Sequence, residues 1–232
     1  PSLFIEFLQA PEDYMQRAFY GSYIRLIRFI AFFIAVSLPA LYIALLSFQP
    51  ELIPIDLLVA LAQARKEVPF PVVIETLIQE FIIQVVIEAG MRMPQPVAQT
   101  TGVVAGIILG QAAISAKLAS PGVIVVIAVT AICTFVLPTD SLIQATRVIR
   151  LPILVMASIF GIFGFSITWL FIIIHLASME SFGVAFFSPL APVRFADLGD
   201  SFLRKFLWKM NKRPASIPVK DDTRQGNTRG EG

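Results

Sequence analysis

The 232-residue sequence has one cysteine, one histidine and few charges. Cys133 stands alone inside an apolar run, which excludes an intrachain disulfide and a cysteine-rich metal site and leaves the redox compartment unmarked. His175 has no His-x-x-x-His partner, and no Walker loop or Gly-x-Ser-x-Gly element occurs, so metal, phosphate and elbow-type serine chemistry lack a scaffold. Ser166 and His175, the one pair suggestive of an intramembrane protease, fall about 180° apart on a single helix. His175 therefore reads as a structural group near the end of the last apolar run. The chain reads as a non-enzyme with no cofactor and no metal.

Charge is the other shortage. Only 15% of residues are charged against 56% hydrophobic, and mean hydropathy is +0.79, outside the usual range of a soluble domain. The formal net charge of +2 says little, because basic residues gather near the two ends. The apolar residues come in blocks of membrane-spanning length, which points to an all-α polytopic membrane protein. No charged n-region with a small-residue cleavage site precedes the first block, and Pro1 is not a natural start, so the chain reads as a fragment or processed piece.

Four blocks are read as transmembrane helices. Leu26 to Phe48 has the roughly 20-residue length of a span, with Pro39 as a kink and hinge. Val97 to Ala119 and Pro121 to Pro138, joined by a tight Ser-Pro-Gly turn, form a hairpin. Leu151 to Met179 is the longest, with Gly161 and Gly164 inside it, and follows a polar link holding Asp140, Arg147 and Arg150. Residues 1–25 are expected as a juxtamembrane helix starting near Pro11, where Pro11, Glu12 and Asp13 suit a first turn. Residues 26–192 form the transmembrane domain. Between Pro50 and Pro71, Leu57, Leu61 and Ala64 at helical spacing against Asp56, Arg65, Lys66 and Glu67 predict a short interfacial helix. Residues 193–210 predict a basic amphipathic surface helix whose partner is anionic lipid, not nucleic acid, and residues 211–232 a polar tail with nothing to bury.

Arg17, Arg25 and Arg28 precede the first span and Arg204, Lys205, Lys209, Lys212 and Arg213 follow the last. The excess at both ends places both termini in the cytoplasm and requires an even number of crossings. The four spans satisfy this. The remaining apolar stretch, "VIETLIQEFIIQVVIEAGMRMP" (Val73 to Pro94), is then expected to lie at an interface, to re-enter, or to be shielded by protein.

That stretch carries three carboxylates. At 100° per residue Thr76, Glu80, Gln84, Glu88 and Arg92 recur at i+4 as one polar stripe beside apolar rows through Val73, Leu77, Phe81 and Val85. Glu75 is about 140° away from Glu80 and close to the Pro71 end, where it would reach headgroups or cap the first turn. A mid-membrane carboxylate facing lipid costs about 2.5 to 3.5 kcal/mol on insertion scales. Lipid exposure of the stripe is therefore excluded. Two readings remain: Glu80, Gln84 and Glu88 line a water-filled pore or vestibule and attract ions, or the stripe lies along headgroups with Glu88 paired to Arg92. Gly102, Gly106 and Gly110 repeat every four residues and read as helix-packing sites. Lys117 is expected to snorkel to the interface.

The segments "FIEFLQAPEDYMQR", "RLIRFIAFFIAVSLPALYIALLSF", "LIPIDLLVALAQARKEVPFP", "EAGMRMP" and "ASPGVIVVIAVTAICTF" resemble, in order and spacing, the membrane domain of GerA-type spore germination proteins. The likeness runs from about Phe4 to Pro192. The chain departs from the family pattern at "QPVAQTTG", where an Ile-Gly pair is usual, and at Lys117. The resemblance implies the A subunit of a germinant receptor in the spore inner membrane, working with a permease-like B subunit and a lipoprotein C subunit. It implies a homo-oligomer forming a nutrient-gated ion channel for monovalent cations. An A-like role in the dipicolinate-release machinery and a small-molecule transporter with a carboxylate site are the alternatives. A scaffold that docks partner subunits without conducting is a third.

Overall fold

The structure, a computed structural model, describes residues 2–92, 94, 106, 108–193, 200–201 and 223. Gly102, most of the expected surface helix over 193–210 and nearly all of the tail over 211–232 lie outside these residues. The helices are α1 (Glu12–Met15), α2 (Ala18–Phe48), α3 (Ile55–Ala64), α4 (Val72–Arg92), α5 (Pro121–Phe135) and α6 (Asp140–Ser178), and residues 108–115 are also helical. Among the described residues α2 and α6 are long and apolar enough to cross a membrane. α5 has 15 residues and so a length of about 22 Å, short of a roughly 30 Å hydrocarbon core. Of the block expected to span from Val97 to Ala119, residue 106 and residues 108–119 are described.

The chain divides into two compact units. The first comprises residues 1–33, 135–146 and 169–232. A 3₁₀ turn at Phe4–Leu8 buries Phe4, Ile5 and Leu8. Phe4 is the centre of an aromatic cluster, with Phe32 at 5.6 Å and Phe187 at 5.5 Å between ring centroids. Its amide also bonds the Phe186 carbonyl at 2.9 Å. A two-stranded hairpin (Glu180–Ser181 with Val184–Ala185) turns through Phe182 and Gly183, both at positive φ. Thr139, in extended conformation, is the N-cap residue of α6, and its hydroxyl donates to the Phe7 carbonyl at 3.2 Å.

Two element boundaries in this unit differ from the sequence reading. Helix α2 begins at Ala18, so Arg25 and Arg28 lie within it, paired with Asp13 rather than marking its end. Helix α6 begins at Asp140, so what reads as a polar link is its first three turns.

The second unit comprises residues 34–134 and 147–168. Its core is built from small and branched residues that let helices approach closely: Ala35, Val36, Ala40, Ile43 and Ala44 of α2, Val123 and Ile127 of α5, and Ile153, Leu154 and Ala157 of α6. Helix α3 occupies the predicted amphipathic stretch. Helix α6 is broken at Gly161, whose φ of 62° and ψ of −142° lie outside helical space. A side chain there would also meet Phe48, with Cβ and Cγ both at 2.8 Å from an ideal Cβ. The break frees the next amide, and Ile162 N–H finds the Gln49 side-chain oxygen at 3.4 Å.

Candidate functional site

Helix α4 is inverted relative to a water-soluble amphipathic helix. Glu75, Thr76, Gln79 and Glu80 are buried, while Ile74, Leu77, Ile78, Phe81 and Val85 are exposed. Glu80 is 4% exposed and its neighbour Phe81 70%. An apolar outer face suits lipid, and a polar inner face needs partners within the protein, since each unpaired carboxylate would otherwise cost several kcal/mol. Over the first half of this stretch the carboxylates are shielded by the chain's own helices.

The partner of Glu80 is Arg150 on α6. Its guanidinium is 2% exposed and forks to three elements. Nη1 donates to Glu80 Oε1, Nη2 to Thr134 Oγ1 at 3.0 Å, and Nε to the Ala35 carbonyl at 2.7 Å. Thr134 is free to accept because its own hydroxyl donates to the Thr130 carbonyl at 2.8 Å. The Ala35 carbonyl is free to accept for a reason written in the sequence. Residue 39 would normally donate to it, and residue 39 is proline, which has no N–H. Ala35 and Pro39 are both buried, so water cannot replace the missing donor; a lone buried carbonyl of this kind costs about 1 to 3 kcal/mol. Arg150 supplies that donor. Pro39, expected as a kink, is thus joined to the carboxylate stripe through one arginine.

Gln84 extends the node, donating Nε2 to Glu80 Oε1 at 2.9 Å. Glu80 Oε2, Gln84 Oε1 and Gln79 Nε2 are buried atoms with no hydrogen-bond partner among the described residues. Glu88 stands apart in character. Its side chain is 48% exposed, it accepts from Arg92 at 2.7 Å as the i+4 spacing predicts, and Arg147 lies 3.7 Å away. Two carboxylates therefore meet three guanidinium groups along this face, leaving one positive charge in excess.

Glu75 departs from its expected place. It reaches neither headgroups nor its own first turn; it is fully buried and accepts from the backbone N–H and the hydroxyl of Ser120, the latter at 2.6 Å. Arg65 Nε approaches its other oxygen at 3.4 Å. Ser120 precedes Pro121, the first residue of α5, so Glu75 fixes the entry to that helix and places a negative charge where the helix dipole favours one.

Gly106 has open space at its missing side chain, and at Gly110 a Cβ would make an ordinary 3.7 Å contact with Ile124. Lys117 lies 3.4 Å from Glu67 on an exposed surface. His175 is exposed, and among the described residues no three His, Cys, Asp or Glu side chains come together as a metal site would need. The stripe thus divides into a buried Glu80, a half-buried Gln84 bonded to it, and an exposed Glu88. Sequence reasoning missed Arg150 and Thr134. The available signal was the i, i+3 placement of Arg147 and Arg150 at the edge of the longest apolar run, where two arginines on one helical face call for acidic partners.

The chain spans less than half the length of the curated relatives it matches. It is 37% identical to "Spore germination protein KA" of Bacillus subtilis (strain 168) over 226 residues, covering 97% of this chain and 42% of that protein. It is 36% identical to "Spore germination protein GerLA" of Bacillus cereus, covering 96% of this chain and 45% of that protein. It is 34% identical to "Uncharacterized membrane protein YfkQ" of Bacillus subtilis (strain 168), covering 93% and 42%. No solved structure matches. The family described as Bacillus/Clostridium GerA spore germination protein matches residues 1–216, which takes in every helix named above, and the chain belongs to that family.

Proposed function

We propose that the chain is the membrane part of a germinant receptor A subunit that assembles with copies of itself into a nutrient-gated channel for monovalent cations. The observation that carries this reading is the family match over residues 1–216. In this reading α2 and α6 span the spore inner membrane, the block around residues 97–119 and α5 complete four crossings, and both termini are cytoplasmic. The permease-like B subunit and the lipoprotein C subunit are its partners, and the basic stretch after residue 193 meets anionic lipid. Gly102, Gly106 and Gly110 serve helix packing, and Pro39 is the hinge.

The stripe of Glu80, Gln84 and Glu88 is the ion-facing surface, since carboxylates at close quarters favour cations. In its present state both carboxylates are paired, Glu80 with Arg150 and Glu88 with Arg92 and Arg147, and the face carries one positive charge in excess. We assign that state as closed. The test is potassium flux from liposomes carrying the full-length protein with its partner subunits, comparing Glu80→Ala and Glu88→Ala. Altered flux and selectivity are expected; unchanged values in both variants would remove the stripe from the pore. Saturable solute exchange would instead mark a transporter, and well-formed oligomers with no conductance a scaffold.

A further inference from the structure

A proline inside a helix leaves the carbonyl four residues earlier without its donor, and such carbonyls usually turn to water or to a neighbouring hydroxyl. Here the carbonyl freed by Pro39 is met by a charged side chain from another helix, at 2.7 Å, with no exposure at Ala35. The same guanidinium holds the carboxylate of the ion-facing stripe and a hydroxyl of α5. We infer that Arg150 is a positioning residue that couples the gap Pro39 leaves in the hydrogen-bond ladder of α2 to the charge compensation of Glu80, so that the filled gap and the paired carboxylate exist together and are lost together. The coupling stands on the bonding pattern; its consequence for gating rests on the channel reading above.

The chemistry of the fork explains why the residue is arginine. A guanidinium presents donors in a fixed planar array and serves three acceptors from three helices at once. Lysine has a single nitrogen at the end of a flexible stem. Arg150→Lys can therefore keep its charge beside Glu80, and it gives up the carbonyl of Ala35 or the hydroxyl of Thr134 in doing so. Pro39→Ala works from the other side: residue 39 regains an N–H, the Ala35 carbonyl is satisfied within α2, and no donor from α6 is required there.

Two measurements on the full-length protein with its partner subunits test this. By amide hydrogen exchange, R150K is expected to speed exchange at residues 40–44 of α2 by about tenfold, and adding P39A to return it to within about threefold of P39A alone. A role for Arg150 confined to its ion pair with Glu80 predicts no relief from P39A, and that result overturns the coupling. In liposomes, R150K is expected to raise basal potassium flux in the absence of germinant by about tenfold, the change for a closed-state loss of one good bond. R150K with P39A is expected to restore the low basal flux and to blunt the response to germinant. A basal flux unchanged in R150K, with the wild type conducting, overturns the gating consequence. If the wild type conducts nothing, the channel reading falls, and the exchange experiment still decides the coupling.

Discussion

Asp13 holds two arginines of α2 at once. Arg28 Nη1 donates to both carboxylate oxygens at 2.8 Å, and Arg25 Nε to one of them at 3.3 Å, with the aspartate 3% exposed. Arg25 also donates to the Asp200 carbonyl at 2.7 Å and lies over the Tyr14 ring at 5.0 Å. The four-residue helix α1 is thereby clamped to the start of α2 by charge rather than by apolar area. Asp13→Asn leaves both guanidinium groups buried with one full charge too few, and a loss of about 3 to 5 kcal/mol is expected from breaking such a set. Thermal unfolding in nanodiscs reads this directly, and a change under about 1 kcal/mol would contradict the clamp.

The two glutamates of α4 should part company under the same measurement. Glu80→Gln leaves Arg150 uncompensated in the interior, for an expected loss of about 3 to 5 kcal/mol. Glu88→Gln removes an exposed i+4 pair, for about 0.5 kcal/mol or less, and that small effect should fade with added salt. Equal effects would mean that Glu80 is not buried in the protein as assembled.

Glu75→Ala strands the Ser120 amide and the Arg65 guanidinium, and a loss of about 2 to 4 kcal/mol is expected. Glu75→Gln keeps an acceptor oxygen for Ser120 and should lose less. Amide exchange over the first turn of α5 distinguishes this from a general loss of stability, because the effect should be largest there.

Gly161→Ala places a Cβ on a residue at φ +62° and ψ −142°, a region kept almost wholly by glycine, costing about 1 to 3 kcal/mol in backbone alone, and drives it against Phe48. Phe48→Ala added to it removes the Cγ contact and leaves the Cβ contact, so rescue of the melting temperature should be partial. Full tolerance of Gly161→Ala would argue against the break in α6.

Tyr14 supplies a pH dependence. Burial raises its hydroxyl above the usual value near 10, with Arg25 lowering it in part and Asp200 adding to the rise. Its hydroxyl donates to Asp200 Oδ2 at 3.0 Å. Because the folded value lies above the unfolded one, the associated stability is fully present below pH 10 and is lost as pH rises through the folded value. Tyr14→Phe should flatten the alkaline limb of a stability–pH curve and leave the neutral region's slope unchanged.

How much of this was legible follows the range of each interaction. The long apolar runs mark α2 and α6, and the i+4 spacing marks the Glu88–Arg92 pair, because both signals lie within one helix. The starts of those helices lie earlier than the sequence suggests, because charged residues there look like solvent-facing boundaries, whereas the ends at Phe48 and Ser178 fall at or next to the expected residues. Arg25, Arg28 and Arg150 are in fact buried with partners. Glu80 and Arg150 are 70 residues apart and Glu75 and Ser120 are 45 apart, distances at which periodicity carries no information. The stripe could be seen to need something polar opposite it. Which residues answer that need is a property of the tertiary packing.

The inverted polarity of α4 also has a consequence for how the chain is made. Glu80 leaves the ribosome 70 residues ahead of Arg150, an interval of roughly 4 to 14 s at ordinary synthesis rates. Throughout that interval the oily segment exists while the partner of its Glu80 carboxylate, Arg150, has not yet been made. The Glu80–Arg150 pair can form only once α6 has been made, so the burial of this carboxylate is completed late in synthesis.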